Sequence, residues 1–446
     1  MEPSFADLAV DSFRRAANLV SAYRILLDES GLTPGQIRGP DDFRLLPILE
    51  KKDTFQRFPI EQLCIDGKLG RLGTVLTSSG HSGIFAFGLT DADAMPATVA
   101  WVDDALDGLF QVRTKPTLLI NCLPMGVKVH THACTLAETS VRADMAVGLV
   151  KAFGKHFTQI ILVGEAAFLK HLLELGKSGG VDWLPLTVHV IAGEEPLAEN
   201  ARRYLEHLLG TKVNDPKAGM IVSSMGVAEL GLNLFSEVPP PGQLPLLRRT
   251  LHDNPSLRKA ILGQRKWVPS LFTYDPRRIF VEFHQGRLII TTLDPALRVP
   301  LVRYATGDRG QFLSISPDLR TELESAGLSS EILEWLPIVA IEGRGDHALA
   351  GTTPVYPEAV KEGIYYDHAL AALTTANFRL VSGSDHVRVR IQLSPGQTPS
   401  PEAQQGFAEA INRYVDAPVV VSCETYEAFG SGMALDYERK FQYLGR

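Results

Sequence analysis

The sequence has little of several things that would fix its class at once. Only four cysteines occur in 446 residues, at Cys64, Cys122, Cys134 and Cys423. They stand far apart with no C-x-x-C pair, which removes a disulfide framework and any ordinary zinc spacing. Reduced thiols packed as small hydrophobes are the expectation, and with them a cytoplasmic setting. No run approaches the roughly 20 uninterrupted apolar residues of a membrane span. Residues 1–10 hold Glu2 and Asp7 but no basic start ahead of an apolar block, so a secretory signal is not supported. Basic charge is short as well. The 44 Lys and Arg stand against 51 Asp and Glu, a net −7, which leaves no footprint for a phosphodiester backbone, and no nucleic-acid partner is expected.

Hydrophobic residues at 45% and charged residues at 21% are the balance of a globular protein with a large core. The length predicts more than one domain. Phe5, Leu8, Phe13, Ala16, Val20, Tyr23 and Leu27 recur at helical steps and predict one amphipathic helix ending before Gly31. Short apolar, β-branched runs at 117–123, 159–164 and 186–192 read as strands, and the last two lead into helices predicted over 165–176 and 196–209. That alternation predicts an α/β domain on a largely parallel sheet. A further strand is expected at 218–224, with a turn at Gly226 that delivers Glu229. Residues 238–246 (VPPPGQLPL) read as a connector without periodicity. Residues 279–283 and 287–292 read as a hairpin. Beyond residue 346 the pattern is that of a small α+β domain, with a helix at 401–414 and strands at 386–393 and 418–422.

Several runs carry residues suited to chemistry. Thr77, Ser78, Ser79, Gly80, His81, Ser82 and Gly83 offer hydroxyls and unhindered backbone N–H groups in one turn, a concavity of the kind that holds anions. No lysine follows it, so it is not the P-loop of nucleotide-driven motors. His130 and His132 alternate and on a strand would share a face, a metal half-site for which no third and fourth ligand is apparent. The pairs Arg248-Arg249 and Arg277-Arg278 are expected to be solvated.

Five further segments follow one another in a fixed order: Leu46-Pro47-Ile48-Leu49 with Lys51, Asp53 and Phe58-Pro59; Gly193-Glu194-Glu195-Pro196-Leu197; Ser223-Ser224-Met225-Gly226-Val227-Ala228-Glu229; Pro300 to Asp308 (PLVRYATGD); and Gly343-Arg344-Gly345-Asp346. Together with the 77–83 run they resemble the motifs of the adenylate-forming superfamily, within it the phenylacetate-CoA ligase-like branch, over nearly the whole chain. His81, Met225 and Ala228 stand where that family usually has threonine, an aromatic residue and threonine.

The resemblance implies an α/β large domain over 1–345, of mixed sheets and helices, and a small mobile α+β lid over 346–446. It implies that 77–83 cradles phosphate, that Gly193, Glu194, Glu195 and Pro196 with Ser224, Met225 and Gly226 surround the adenine, and that Asp308 accepts both ribose hydroxyls. Glu229 would hold the magnesium of Mg-ATP, a role suited to a hard carboxylate oxygen, or would serve as a helix first-turn acid. Arg344 would approach the nucleotide, and Asp346 would be the hinge. Lys440 is the candidate lysine that neutralises developing charge during adenylation. The acid pocket would draw on 123–135, including Met125 and Val127, and on 223–226. The implied reaction joins a carboxylic acid to AMP with release of pyrophosphate and then passes the acyl group to the thiol of CoA. An amine or carrier protein as acceptor, and a degenerate nucleotide-binding member without turnover, remain alternatives. A homodimer is common in that branch and is compatible with the sequence.

Overall fold

A computed structural model describes residues 4–78, 83–124, 127–210, 218–238, 242–329, 337–430, 437 and 441–445. The chain opens on two helices, Phe5–Leu19 and Ser21–Glu29, where one was expected. Val20 is extended (φ −115°, ψ 114°) and breaks the run. The break re-aims the second helix so that the buried Tyr23 hydroxyl donates to Val302 O at 3.0 Å and accepts from Val302 N at 2.6 Å.

Strands β1 (Leu72–Thr77) and β2 (Phe87–Asp91) form an antiparallel hairpin. An eleven-stranded sheet follows, made of β3 (Thr117–Asn121), β4 (Thr135–Glu138), β5 (Gln159–Gly164), β6 (Val188–Ala192), β7 (Ile221–Val227), β8 (Gly231–Ser236), β9 (Ser270–Thr273), β10 (Ile279–His284), β11 (Arg287–Thr292), β12 (Tyr304–Phe312) and β13 (Ile338–Gly343). Its order is β10-β11-β12-β13-β9-β8-β7-β6-β5-β3-β4. β3 to β7 pair in parallel, and β3 and β5 are buried at every position, as parallel strands covered on both faces should be. From β7 to β10 every pairing is antiparallel. β7 is therefore the seam between the two halves. The hairpin of β10 and β11 turns at Gln285 and Gly286, both at positive φ, the geometry a two-residue hairpin needs.

β7 runs through Gly226 to Val227, so the expected turn lies later, and Glu229 stands in the β7–β8 turn rather than at a helix start. The connector reading of 238–246 is corrected too: the helix Gln243–Asp253 begins inside it. Leu244, Leu247 and Leu251 are buried on that helix at spacings of three and four, a stripe the prolines before it obscure. Arg248 on the same helix is buried, not solvated, and donates to the carbonyls of Pro269 (3.0 Å), Val268 (3.1 Å) and Leu197. Arg249 pairs with Glu199 at 3.0 Å and Glu206 at 2.7 Å. Of the other pair, Arg277 is exposed as expected, whereas Arg278 stacks on Trp101.

After β13 come the small hairpin β14 (Ala348–Ala350) and β15 (Thr353–Val355), then β16 (Thr374–Val381), β17 (Val387–Leu393) and β18 (Val419–Glu424) in a three-stranded sheet backed by the helices Pro357–Ile364 and Pro401–Asn412. The core of this C-terminal lobe is continuous with that under the helix Ala166–Ser178: Phe378, Ile391 and Phe407 belong to one apolar cluster with Phe168 and Leu172. No helix among the described residues is long and apolar enough to cross a membrane.

Candidate active site

The site is built around the seam strand β7. Beyond Val227 the turn presents Glu229, whose side chain is buried. Its Oε1 accepts the hydroxyl of Tyr304 at 2.7 Å, and the ammonium of Lys51 lies 3.4 Å from the same oxygen. Burial and the neighbouring Glu229 carboxylate push the Tyr304 hydroxyl far above its ordinary value, so it stays a donor. Lys51 is brought there because the segment before it is stitched to β12: Leu49 N donates to Arg303 O at 3.0 Å and Ala305 N to Leu49 O at 2.8 Å. Arg303, at positive φ, donates to the carbonyls of Arg44 (2.7 Å) and Leu46 (2.6 Å). Thus the arginine of the Arg-Tyr-x-Thr-Gly-Asp run locks the N-terminal segment in place, and the tyrosine orients the acid. The sequence reading did not give Lys51 or Tyr304 a site role. A lysine in a Leu-Pro segment some 180 residues before the acid gives no sign of contact until the chain folds.

The 77–83 run begins at the end of β1. Ser78 is buried and closes the base of the loop: its N–H donates to Ala86 O at 2.9 Å, and its Oγ accepts from Ala86 N at 3.0 Å. Thr77 Oγ1 donates to Ser78 O at 3.3 Å, and Gly83 has φ +75°. Ser79, Gly80, His81 and Ser82 lie outside the described residues. The hairpin packs directly on the turn of Glu229, since a Cβ on Gly88 would stand 2.2 Å from Ala228 O. Strand β2 and the turn of Glu229 are therefore neighbours.

A magnesium ion suits this donor chemistry, because it takes one hard carboxylate and fills its other positions with phosphate and water. Among the described residues no group of three or more His, Cys, Asp or Glu is placed to hold a metal ion by itself.

Four residues along from Tyr304, the same strand carries Asp308, buried, with its Oδ1 3.5 Å from Arg344 Nε. Gly307 between them has φ +91°, a bend that glycine adopts without strain. Arg344 is about half exposed. It stands in the 343–346 segment, in which Gly343 and Gly345 also have positive φ, and the chain passes through Asp346 into the C-terminal lobe.

The 193–197 turn follows β6. Gly193 N donates to Gly164 O at 2.9 Å, its Cα faces Ser224 on β7, and Glu194 takes φ +70°. Ser224 and Met225 pair with Ser236 and Phe235 on β8, and Gly226 packs against Leu232 and Asn233. Pro196 turns the chain toward the helix Glu199–Leu209, which starts three residues later than expected because Ala198 is still extended. Glu195 faces the C-terminal lobe: its Oε2 accepts from Lys361 Nζ at 2.6 Å and from the Tyr443 hydroxyl at 2.8 Å. The structure thus gathers Glu229, Tyr304 and Lys51, sets Asp308 with Arg344, and places Gly193 beside Ser224.

Lys440 and Met125 lie outside the described residues. His130 and His132 occupy a loop, not a strand. Asp103 holds it by accepting from Thr131 Oγ1, His132 N (3.0 Å) and Ala133 N (3.2 Å), and no metal cluster forms there among the described residues. The cysteines are free; Cys64, Cys122 and Cys423 are buried, and burial pushes each thiol up to about 11, the profile of packing groups rather than nucleophiles.

No protein-family model and no curated protein matches the sequence. Solved structures do. The chain is similar to 2-hydroxyisobutyryl-CoA ligase in the postadenylation state with R3-HIB-AMP, at TM-score 0.70 and 12% identity over 99% of this chain and 88% of that one. Against the same ligase in the thioesterification state with 2-HIB-AMP and CoA the TM-score is 0.53, at 13% identity over 99% and 88%. An anthranilate CoA ligase in complex with anthranoyl-AMP gives 0.51, at 13% identity over 83% of this chain and 66% of that one. At these identities the likeness establishes the fold, a large mixed α/β body with a separate C-terminal lobe.

Proposed function

We propose that this chain is an adenylate-forming acid–thiol ligase. It would join a carboxylic acid to the α-phosphate of ATP, release pyrophosphate, and pass the acyl group from the acyl-adenylate to the thiol of CoA. One observation carries the reading: strand β12 places Tyr304 on Glu229 and Asp308 beside Arg344, with β2 packed at Gly88 on the Glu229 turn. The solved structures of this fold that hold acyl-adenylates and CoA support it, and they favour CoA over an amine or carrier protein as acceptor. The phenylacetate-CoA ligase-like branch is the finer reading, supported by the way the 46–53 segment is stitched to β12.

In this reading the reaction is one of positioning and charge stabilisation rather than of acid–base catalysis. Asp308 accepts the two ribose hydroxyls and Arg344 neutralises it from outside. Glu229, aimed by Tyr304, would hold magnesium, which when bound would offset triphosphate charge. Lys51 balances the buried carboxylate. The acid's carboxylate oxygen attacks the α-phosphorus as pyrophosphate departs, with Lys440 the proposed cation for that step. The lobe from Asp346 onward then turns about the 343–346 hinge, and the CoA sulfur attacks the acyl carbon as AMP leaves.

ATP–pyrophosphate exchange with Mg²⁺ and a panel of aryl, heteroaryl, hydroxyacyl and fatty acids tests the first half-reaction without the acceptor. Exchange with one chemical class names the substrate, and thioester formation with CoA completes the assignment. Silence across the panel with ATP bound supports the non-catalytic alternative.

A further inference from the structure

The helix Pro357–Ile364 is the first helix after the hinge, and it puts three charged side chains on one face at spacings of three and four. Each meets a different part of the site. Glu358 lies against the hinge, its Oε1 2.4 Å from where a Cβ on Gly343 would stand. Lys361 donates to Glu195 at 2.6 Å. Glu362 accepts from Glu199 N at 2.8 Å and Asn200 N at 2.9 Å, capping the helix that follows the 193–197 turn. Tyr443, from the last residues of the chain, adds the second bond to Glu195, and its ring lies 4.4 Å from Lys361 Nζ. Burial alone would lower Lys361, but Glu195 and Glu358 outweigh it and keep the ammonium charged.

We infer that Lys361 is a positioning residue for the adenylation step: through Glu195 it fixes the C-terminal lobe against the nucleotide turn. The inference rests on the proposed adenylation, but its structural half does not need that chemistry. A buried charged pair is a strong geometric constraint, because breaking it on one side leaves the other charge unpaired. One carboxylate therefore belongs both to the turn beneath the nucleotide and to the lobe interface. The lobe can rotate for thiol transfer only by giving up Lys361 and Tyr443 together, so the contact should favour the first half-reaction over the second.

The experiment compares Lys361→Met, Glu195→Gln, the double variant and Lys361→Arg in the full-length protein by small-angle X-ray scattering without substrate, and by the two half-reactions separately. Lys361→Met and Glu195→Gln should each increase the radius of gyration and lower ATP–pyrophosphate exchange about tenfold, the loss of one hydrogen bond to a charged group. In Lys361→Met, transfer from supplied acyl-adenylate to CoA should be kept. The double variant should be no worse than either single one, and Lys361→Arg should restore most of the effect. Scattering identical to wild type in both single variants overturns the inference, whatever happens to activity, and so does equal loss of both half-reactions in Lys361→Met. Should Lys361→Met fail to fold, Glu195→Gln, which keeps the side-chain volume and a partner for Tyr443, answers the structural question by scattering. If no acid is ever activated, the proposed function falls while the scattering result still decides where Lys361 holds the lobe.

Discussion

Tyr304 and Glu229 are 75 residues apart in sequence and share a 2.7 Å hydrogen bond in which the phenol donates to Oε1. Lys51 lies 3.4 Å from the same oxygen, so the acid is aimed by one neighbour and neutralised by the other. Tyr304→Phe removes only the aim. It should raise the Mg²⁺ concentration needed for half-maximal exchange and weaken ATP-dependent Mn²⁺ binding, read by electron paramagnetic resonance, with little loss of exchange at saturating metal.

Lys51→Met has a different consequence. It leaves a buried carboxylate without its cation, a change that typically costs about 3 kcal/mol, so the urea midpoint should fall. Lys51→Met combined with Glu229→Gln should recover much of that stability without recovering exchange.

Asp308→Ala should weaken ATP binding by about tenfold to a hundredfold, the range for losing hydrogen bonds to a charged acceptor. Calorimetric titration with ATP and 2′-deoxy-ATP checks the assignment. The variant should no longer distinguish the two nucleotides, and an unchanged ATP affinity would remove Asp308 from the site.

Gly88→Ala tests whether the β1–β2 hairpin and the Glu229 turn are one unit. The added Cβ would meet Ala228 O at 2.2 Å, a backbone atom that cannot swing aside. Overpacking of this kind costs about 1–3 kcal/mol, and the displaced turn should lower exchange more than a neutral surface substitution of equal stability cost.

The lobe interface also predicts a pH dependence. Burial, with Glu195 next, pushes Glu165 up to about 7, partly opposed by Ala167 N, Phe168 N and Lys361. Burial likewise raises Glu358 to about 7, with Lys361 opposing and Glu195 and Asp346 adding to it. The ordinary value of both is 4.5. Between that value and about 7 the folded state holds protons that the unfolded chain has released. The contribution of these two acids is therefore full on the acid side and is lost as pH rises through the window, by up to about 1.4 kcal/mol per pH unit for each proton. Glu199 and Glu362, lowered by Arg202 and by His252 against the effect of burial, act with the opposite sign below the window. Urea midpoints from pH 4.5 to 8 for the wild type and for Glu165→Gln with Glu358→Gln isolate the term, because the variant should lose less stability as pH rises.

Much of this protein was determined by sequence alone, because much of it is local. The alternation of β-branched runs with amphipathic stretches gave β5, the hairpin at Gln285-Gly286 and the C-terminal α+β pattern, since side-chain period and turn chemistry are properties of neighbouring residues. The order of the motifs singled out Ser78, Glu229, Asp308 and Arg344 as candidates. Local pattern failed at Val20, where an unbroken apolar period conceals a change of direction made for Tyr23 and Val302, and at Gln243, where prolines hid the start of a helix. Only tertiary structure decided which charges meet. Arg248 looks solvated in sequence and is buried on three carbonyls; Lys51 reaches Glu229 because Leu49 pairs with β12; Lys361 and Tyr443, 82 residues apart, close on one oxygen of Glu195. Pairings of that kind depend on distances across the fold, which spacing along the chain does not encode.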